Sequence, residues 1–265
     1  MGSSLLPQDA ATTFARRGFV AGNELLDAKT SSALFNLIDD IVKREENPYH
    51  KRVYNFGHGG RPLLHIKNMW KRYGEFNDLH SNPALLGALR ELTGVRRFRL
   101  WQDRFFYKPA SVGGYHTWHQ DMTFLPFLPP FTAVSAWVAL TDADEDNGAM
   151  YMVEGSHKWG DASEFLNEVA DYAGERRPLP PTYGGENVTI SPCPVPQGHV
   201  HFHDCRTWHS SGPNWSDRTR CAIGMFFVDA DVLFDGNNKW AKDYVGVHGA
   251  HLDSEAYPLV ERDGD

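Results

Sequence analysis

The chain has 265 residues, with 26 Lys and Arg against 34 Asp and Glu, and a formal net charge of −8. That balance argues against nucleic acid or an anionic membrane as the main partner, since both are bound through a basic face. The length suits one domain with a substantial core and is short for two, and 41% apolar with 13% aromatic residues gives no sign of disorder.

Cys193, Cys205 and Cys221 are odd in number, widely spaced and without a CxxC pair, so neither a disulfide framework nor a zinc knuckle is indicated. The first residues lack a charged segment followed by an apolar stretch, and no window approaches 18 consecutive apolar residues. A cytoplasmic protein without a membrane segment is the expectation.

Residues 1–95 read as mostly helical. A short helix is expected from Pro7 to Arg17, stopped by Gly18, with Phe19 and Val20 extended. From Ser31 to Glu45, Leu34, Phe35, Leu37, Ile38, Ile41 and Val42 recur at helical spacing and form one apolar stripe. Asn82-Pro83 combines a capping residue with proline at the first helical position, and Gly94 is a suitable stop.

After Gly94 the texture changes. Phe98–Tyr107, Val134–Leu140, Ala149–Val153, Val188–Ile190, His199–His203 and Arg220–Val228 are short, β-branched or aromatic runs bounded by Gly, Pro, Asn or Asp. Such strands predict a β-sandwich or jelly roll over residues 96–230, with the helices packed outside. Residues 155–197 form a long, poorly periodic insertion expected to act as a lid. The polar tail 231–265 is a second candidate cover. The whole chain, 1–265, is expected to form a single domain.

His119-Gln120-Asp121 is an H-x-D pair in an extended run. In a strand, residues two apart project from one face, so imidazole and carboxylate can converge, and His209 can complete the set from another strand. Two histidines and one carboxylate leave coordination positions open, which suits iron(II) that must bind further reactants. The tripeptide alone is weak evidence, because a chain with 13 histidines will contain such pairs by chance. Arg220 begins an apolar strand after His209, and a buried guanidinium requires an anionic partner whose carboxylate its planar fork fits. Arg218 has the same parity, so alternation alone does not choose between them. Arg104 and Lys108 share one face with Gln102, to meet an anionic substrate or to lie solvated at an edge.

Read together, Trp118-His-Gln-Asp121, Ala136-Trp-Val-Ala-Leu140, Glu145-Asp-Asn-Gly148, Met152-Val-Glu-Gly-Ser-His157, Trp208-His-Ser-Ser-Gly-Pro-Asn214 and Asp217-Arg-Thr-Arg220 resemble the phytanoyl-CoA dioxygenase family of iron(II)/2-oxoglutarate oxygenases. The resemblance runs from about Leu100 to Val228 and more weakly from Phe14 to Val20. It implies a double-stranded β-helix (jelly roll, cupin-like) that needs Fe(II), 2-oxoglutarate and O2. It also implies release of succinate and carbon dioxide with hydroxylation of a small-molecule substrate; desaturation or cyclisation would use the same ligands. His119, Asp121 and His209 resemble the iron ligands. Arg220 is similar to the residue that pairs with the far carboxylate of 2-oxoglutarate, Ser211 to a hydroxyl assisting it, and Trp137 to an aromatic wall of the co-substrate pocket. Gln102 and Lys67 are further co-substrate contacts that the resemblance suggests. Halogenating relatives lack the carboxylate, so Asp121 favours hydroxylation. The alternatives are a catalytically silent jelly-roll binding protein and a cupin-type metal-dependent isomerase or hydrolase, neither of which needs Arg220.

Overall fold

The computed structural model describes residues 4–44, 54–55, 60–169 and 178–260. Helix α1 (Ala10–Arg17) stops where Gly18 turns left-handed at φ 85°, its N–H bonded to the Phe14 carbonyl at 2.7 Å. A side chain on Gly18 would press into His157 and Thr207, whose hydroxyl donates to the Gly18 carbonyl. Helix α2 (Ala28–Arg44) buries Ser31, Leu34, Ile38 and Ile41. The short α3 (Asn77–His80) precedes α4 (Pro83–Thr93). There Asn82 Oδ1 accepts the N–H groups of Ala84 and Leu85, a cap of the kind worth about 1 kcal/mol. Among the described residues no helix is long and apolar enough to cross a membrane.

The strands are β1 (Phe19–Glu24), β2 (Tyr54–Asn55), β3 (Leu64–Lys67), β4 (Phe98–Lys108), β5 (His116–His119), β6 (Ala133–Ala139), β7 (Met150–Val153), β8 (Thr182–Tyr183), β9 (Glu186–Asn187), β10 (Ile190–Cys193), β11 (His199–Asp204), β12 (His209–Ser211), β13 (Arg220–Asp229) and β14 (Leu259–Val260). A large sheet runs β1-β11-β6-β13-β4-β3-β2, with β14 also on β4, and a small sheet runs β10-β7-β12-β5. From β4 to β13 the chain passes between the two sheets so that β11-β6-β13-β4 faces β10-β7-β12-β5, the strand order of a jelly roll. The expected fold class is what the topology displays. Strands β1, β2 and β3, from the part read as helical, extend the large sheet at its edges, and the strand expected at Val188–Ile190 runs instead from Ile190 to Cys193 against β7.

Alternation sorts the side chains. Phe105, Tyr107, Val138, Phe202, Ile223 and Met225 turn to the helices, packing with Ile38, Leu85 and Leu89. The opposite face of the large sheet meets the small one through Trp137, Ala139, Ala222, Met150 and Met152. The described residues of the expected lid, 155–169 and 178–197, include α5 (Ser163–Val169) and the β8–β9 hairpin. Ala162, Leu166, Phe165 and Tyr183 pack there against Trp118, Val153 and Trp208, on the side of the small sheet away from the large one.

Asp103 ties β4 to the turn after β3. Its two carboxylate oxygens accept the N–H groups of Met69 (2.7 Å) and Trp70 (2.9 Å), and the group is fully buried. Burial outweighs those hydrogen bonds and raises its pKa to about 6. A carboxyl whose folded pKa lies above its unfolded value of 3.8 contributes stability below that value and loses it as pH rises through about 6. The stability of the native chain relative to Asp103→Asn is therefore expected to fall between pH 4 and pH 6.5, by on the order of 2–3 kcal/mol, as read from paired urea denaturation curves.

Candidate active site

His119 ends β5 and His209 opens β12, directly opposite it across the strand pair, with ring centres 4.0 Å apart. Nδ1 of His119 lies 2.8 Å from the Thr117 carbonyl, and Nδ1 of His209 lies 2.9 Å from that of Thr207. A carbonyl only accepts, so each Nδ1 carries the proton and each Nε2 presents a lone pair to the interior.

Asp121 departs from the expected extended segment. Strand β5 stops at His119, Gln120 remains extended, and Asp121 begins a 3₁₀ turn that runs to Phe124. One extended residue suffices to bring the carboxylate to the imidazole's side. Gln120 faces the other way, with its amide donating to the carbonyls of Gly160 (3.0 Å) and Arg206 (2.6 Å).

Oδ2 of Asp121 accepts from Ser135 Oγ at 2.8 Å and lies 3.2 Å from Nε2 of His203. Oδ1 is left facing Nε2 of His209 at 3.7 Å and Nε2 of His119 at 3.9 Å. The three potential ligand atoms fall within 4.8 Å of one another, and no other such group of His, Cys, Asp or Glu occurs among the described residues. A single ion with bonds of about 2.0–2.2 Å can bridge such separations after small side-chain rotations.

The electrostatics fit a cation. Burial pushes His119 and His209 below the ordinary imidazole value, so both are neutral at neutral pH. Burial alone would raise the Asp121 carboxyl, but the imidazoles of His209, His203 and His119 outweigh it and hold the group ionised. Two neutral imidazoles and one carboxylate are thus in their metal-binding protonation states.

A cavity of about 180 Å³ opens from this group, with Arg104, Phe106, Trp137, Arg220 and Gly224 on its large-sheet wall. Arg220 begins β13, is buried, and stacks its guanidinium over Trp137 at 5.4 Å. Nη2 donates to the Gly148 carbonyl at 2.9 Å, Nε is buried without a partner, and no carboxylate among the described residues pairs with it. Burial lowers its pKa to about 10, which still leaves it charged at neutral pH. Gly148 has φ 90°, and a Cβ there would stand 2.5 Å from the Gly212 carbonyl, so a side chain would displace the turn that aims the Gly148 oxygen. Arg218, left open as the rival to Arg220, pairs with Asp144 at 2.6 Å at the surface.

Ser211 lines the cavity, and its hydroxyl accepts from the buried Lys108 ammonium at 2.7 Å. Lys108 also donates to the Gly212 carbonyl and so holds this strand end in place. Lys67 lines the cavity opposite Arg104 on the β3–β4 pair, away from the Arg220 end. Gln102 is buried but does not line the cavity. It sits at a β-bulge where Trp101 has no counterpart on β13. Sequence reasoning missed Ser135, whose only signal is its parity with Trp137, and it did not single out Trp240, Asp243 and Tyr244, which reach the cavity from the tail. None of the described residues of 155–197 lines it. Of the aromatic candidates, Phe124 faces the cavity, whereas Trp118, Tyr151 and Trp208 pack under the insertion and Phe127 packs with Trp101.

Two histidines and one carboxylate converging between the sheets of a jelly roll make an arrangement like the facial triad of mononuclear non-haem iron oxygenases. The family model described as phytanoyl-CoA dioxygenase (PhyH) matches residues 14–222. A similar relative is phytanoyl-CoA dioxygenase domain-containing protein 1 of Danio rerio, 29% identical over 171 residues, 62% of this chain and 56% of that protein. Another is the probable alpha-ketoglutarate-dependent hypophosphite dioxygenase of Stutzerimonas stutzeri, 29% identical over 64% of this chain and 58% of its own. The chain thus spans little more than half the length of these relatives. Among solved structures, the non-heme alpha ketoglutarate dependent carbocyclase SnoK from nogalamycin biosynthesis superposes with a TM-score of 0.77 at 25% identity, over 97% of both chains. The chain belongs to the phytanoyl-CoA dioxygenase (PhyH) family.

Ser135 and His203 hold one oxygen of Asp121, leaving the other toward the imidazoles. Removing such supports lowers metal affinity about 10–100-fold in comparable sites. Ser135→Ala is expected to weaken cobalt(II) or iron(II) binding within that range while the far-UV circular dichroism is unchanged, as measured by anaerobic titration against a competing chelator.

Proposed function

We propose that the chain is an iron(II)- and 2-oxoglutarate-dependent dioxygenase that hydroxylates a small molecule. The observation that carries this reading is Arg220: a buried guanidinium facing the cavity of the His-Asp-His group, with no carboxylate among the described residues to neutralise it. An unpaired charge buried in this way costs several kcal/mol, so the site favours an organic acid.

His119, Asp121 and His209 would hold the iron, each presented in the protonation state that a metal requires. With 2-oxoglutarate and dioxygen, iron supplies oxidising power toward a substrate C–H bond, and the 2-oxoglutarate leaves as succinate and carbon dioxide. The chain's own residues do the positioning. Arg220 would take the far carboxylate of the co-substrate as a charge-assisted pair, Trp137 forms the wall beneath it, and Ser211 is held beside it by Lys108. Ser135 and His203 keep Asp121 from rotating. The aromatic and aliphatic lining excludes water from the reacting centre. The presence of Asp121 supports hydroxylation over halogenation, and the name of the Stutzerimonas stutzeri relative supports the co-substrate.

Purified protein is expected to release succinate from 2-oxoglutarate only when iron(II) is added under air. Arg220→Met should raise the KM for 2-oxoglutarate roughly 100-fold, the loss of about 3 kcal/mol expected when one partner of a buried charge pair is removed. Succinate release that ignores iron, or an unchanged KM in Arg220→Met, would overturn the assignment.

A further inference from the structure

With Arg220 assigned to the far carboxylate of the co-substrate, Arg104 is left without a role, and Lys67, which the family resemblance suggests as a co-substrate contact, lies beside it. Arg104 on β4 and Lys67 on β3 are cross-strand neighbours, and both line the cavity. Arg220 pairs instead with Lys108, four residues further along β4, about 13 Å at the backbone at ordinary strand rise. The two cationic groups therefore serve different parts of the space around the metal.

Among the described residues Arg104, like Arg220, has no carboxylate within ion-pair distance, although Asp121 acts on it from farther away. Its Nε is buried without a hydrogen-bond partner, and among the described residues neither Arg104 nor Lys67 forms an ion pair within 4 Å. Its guanidinium stands 5.6 Å from the centre of the Phe226 ring. Burial weakens both bases, lowering Lys67 to about 8, with the Asp243 carboxylate opposing that shift and Arg104 adding to it. Phe124 and Trp240 face each other at 5.3 Å and, with Tyr244, form an aromatic side to the same cavity.

The charges lining the cavity do not cancel. Lys67, Arg104 and Arg220 are positive, Asp121 and Asp243 negative, and the histidines at the metal group neutral. A divalent ion and doubly charged 2-oxoglutarate offset each other, so one positive charge remains, and it lies on the Arg104 side.

We infer that the oxidised substrate is itself an acid. Its carboxylate or phosphate is held by Arg104 with Lys67, and its apolar or aromatic body lies against Phe124, Trp240 and Tyr244. The inference rests on the reading of the metal centre above, since that reading assigns Arg220 to the co-substrate. Aromatic contact with a flat apolar body and a charge-assisted bond to the acid are the usual means by which such a pocket fixes orientation.

The test uses protein held anaerobically with iron(II) and saturating 2-oxoglutarate, so that Arg220 is occupied. The probes are 4-phenylbutyrate, octanoate and phenyl phosphate, set against the neutral 4-phenylbutyramide and octanamide. Equilibrium dialysis and the visible absorption of the iron–2-oxoglutarate complex are the readouts. At least one acid is expected to bind tenfold or more tightly than its amide, or than any neutral probe for the phosphate, and to perturb the absorption. Arg104→Met should erase that preference and Arg104→Lys restore part of it, whereas Arg220→Met should act on the affinity for 2-oxoglutarate. Equal binding of acids and amides, or a preference that survives Arg104→Met, would overturn the inference. Acid binding through Arg104 in a protein that never turns over 2-oxoglutarate would sink the oxygenase reading alone; turnover without acid preference would sink this one alone.

Discussion

A guanidinium carried between two β-sheets with no anion among the described residues to meet it is the constraint around which the rest of the site is arranged. Among the described residues Arg220 meets the Gly148 carbonyl and the face of Trp137, and neither neutralises a full charge. The fold invests several turns in keeping it there. The Asn214 amide donates to the carbonyls of Lys108, Pro109 and Arg218, which fixes the point where β13 begins. Asn147 closes the turn before Gly148 by accepting from Asp144 N–H and donating to the Asp142 carbonyl. Motif residues that never touch the cavity thus set the position of the one that matters most to its charge.

The two sheets divide the chemistry between them. The small sheet provides both imidazoles as a cross-strand pair, each pinned by a carbonyl two residues earlier in the chain. The large sheet provides Arg220, Trp137 and Arg104. Asp121 spans the gap, following a small-sheet strand in sequence but taking its hydrogen bonds from Ser135 on β6 and His203 on β11. The spacing between the sheets therefore enters directly into the geometry of the metal group. That spacing is set by the tightly packed layer of Trp137, Ala139, Ala222, Met150 and Met152, whose resistance to compression makes it a suitable spacer.

Much of this frame was legible in the sequence because strand alternation is a local rule. It pairs His119 with a carboxylate two residues on, whereas Trp137, Ser211 and Arg220, all of which line the cavity, were singled out by the family resemblance. Alternation alone does not say how far along a strand the cavity extends: Gln102 keeps the parity of Arg104 and Phe106, because the bulge at Trp101 lies beyond it, yet it is not among the lining residues. The 3₁₀ turn at Asp121 takes the carboxylate out of the strand without changing the side it faces. The insertion shows a different limit. Proline and glycine in residues 178–185 identify a loop, but only the packing of Tyr183 and Phe165 on Trp208 decides which side of the small sheet it covers. The tail is harder still, since Trp240 and Tyr244 have no periodicity to mark them. They reach the cavity because backbone bonds from Leu128 to Leu233 and from Asp235 to Pro126 tie the chain across the open end. The residues proposed to hold the metal and the co-substrate are thus encoded in short motifs. The surface proposed to meet the substrate is encoded in long-range contacts, which leaves it free to change while the centre stays fixed.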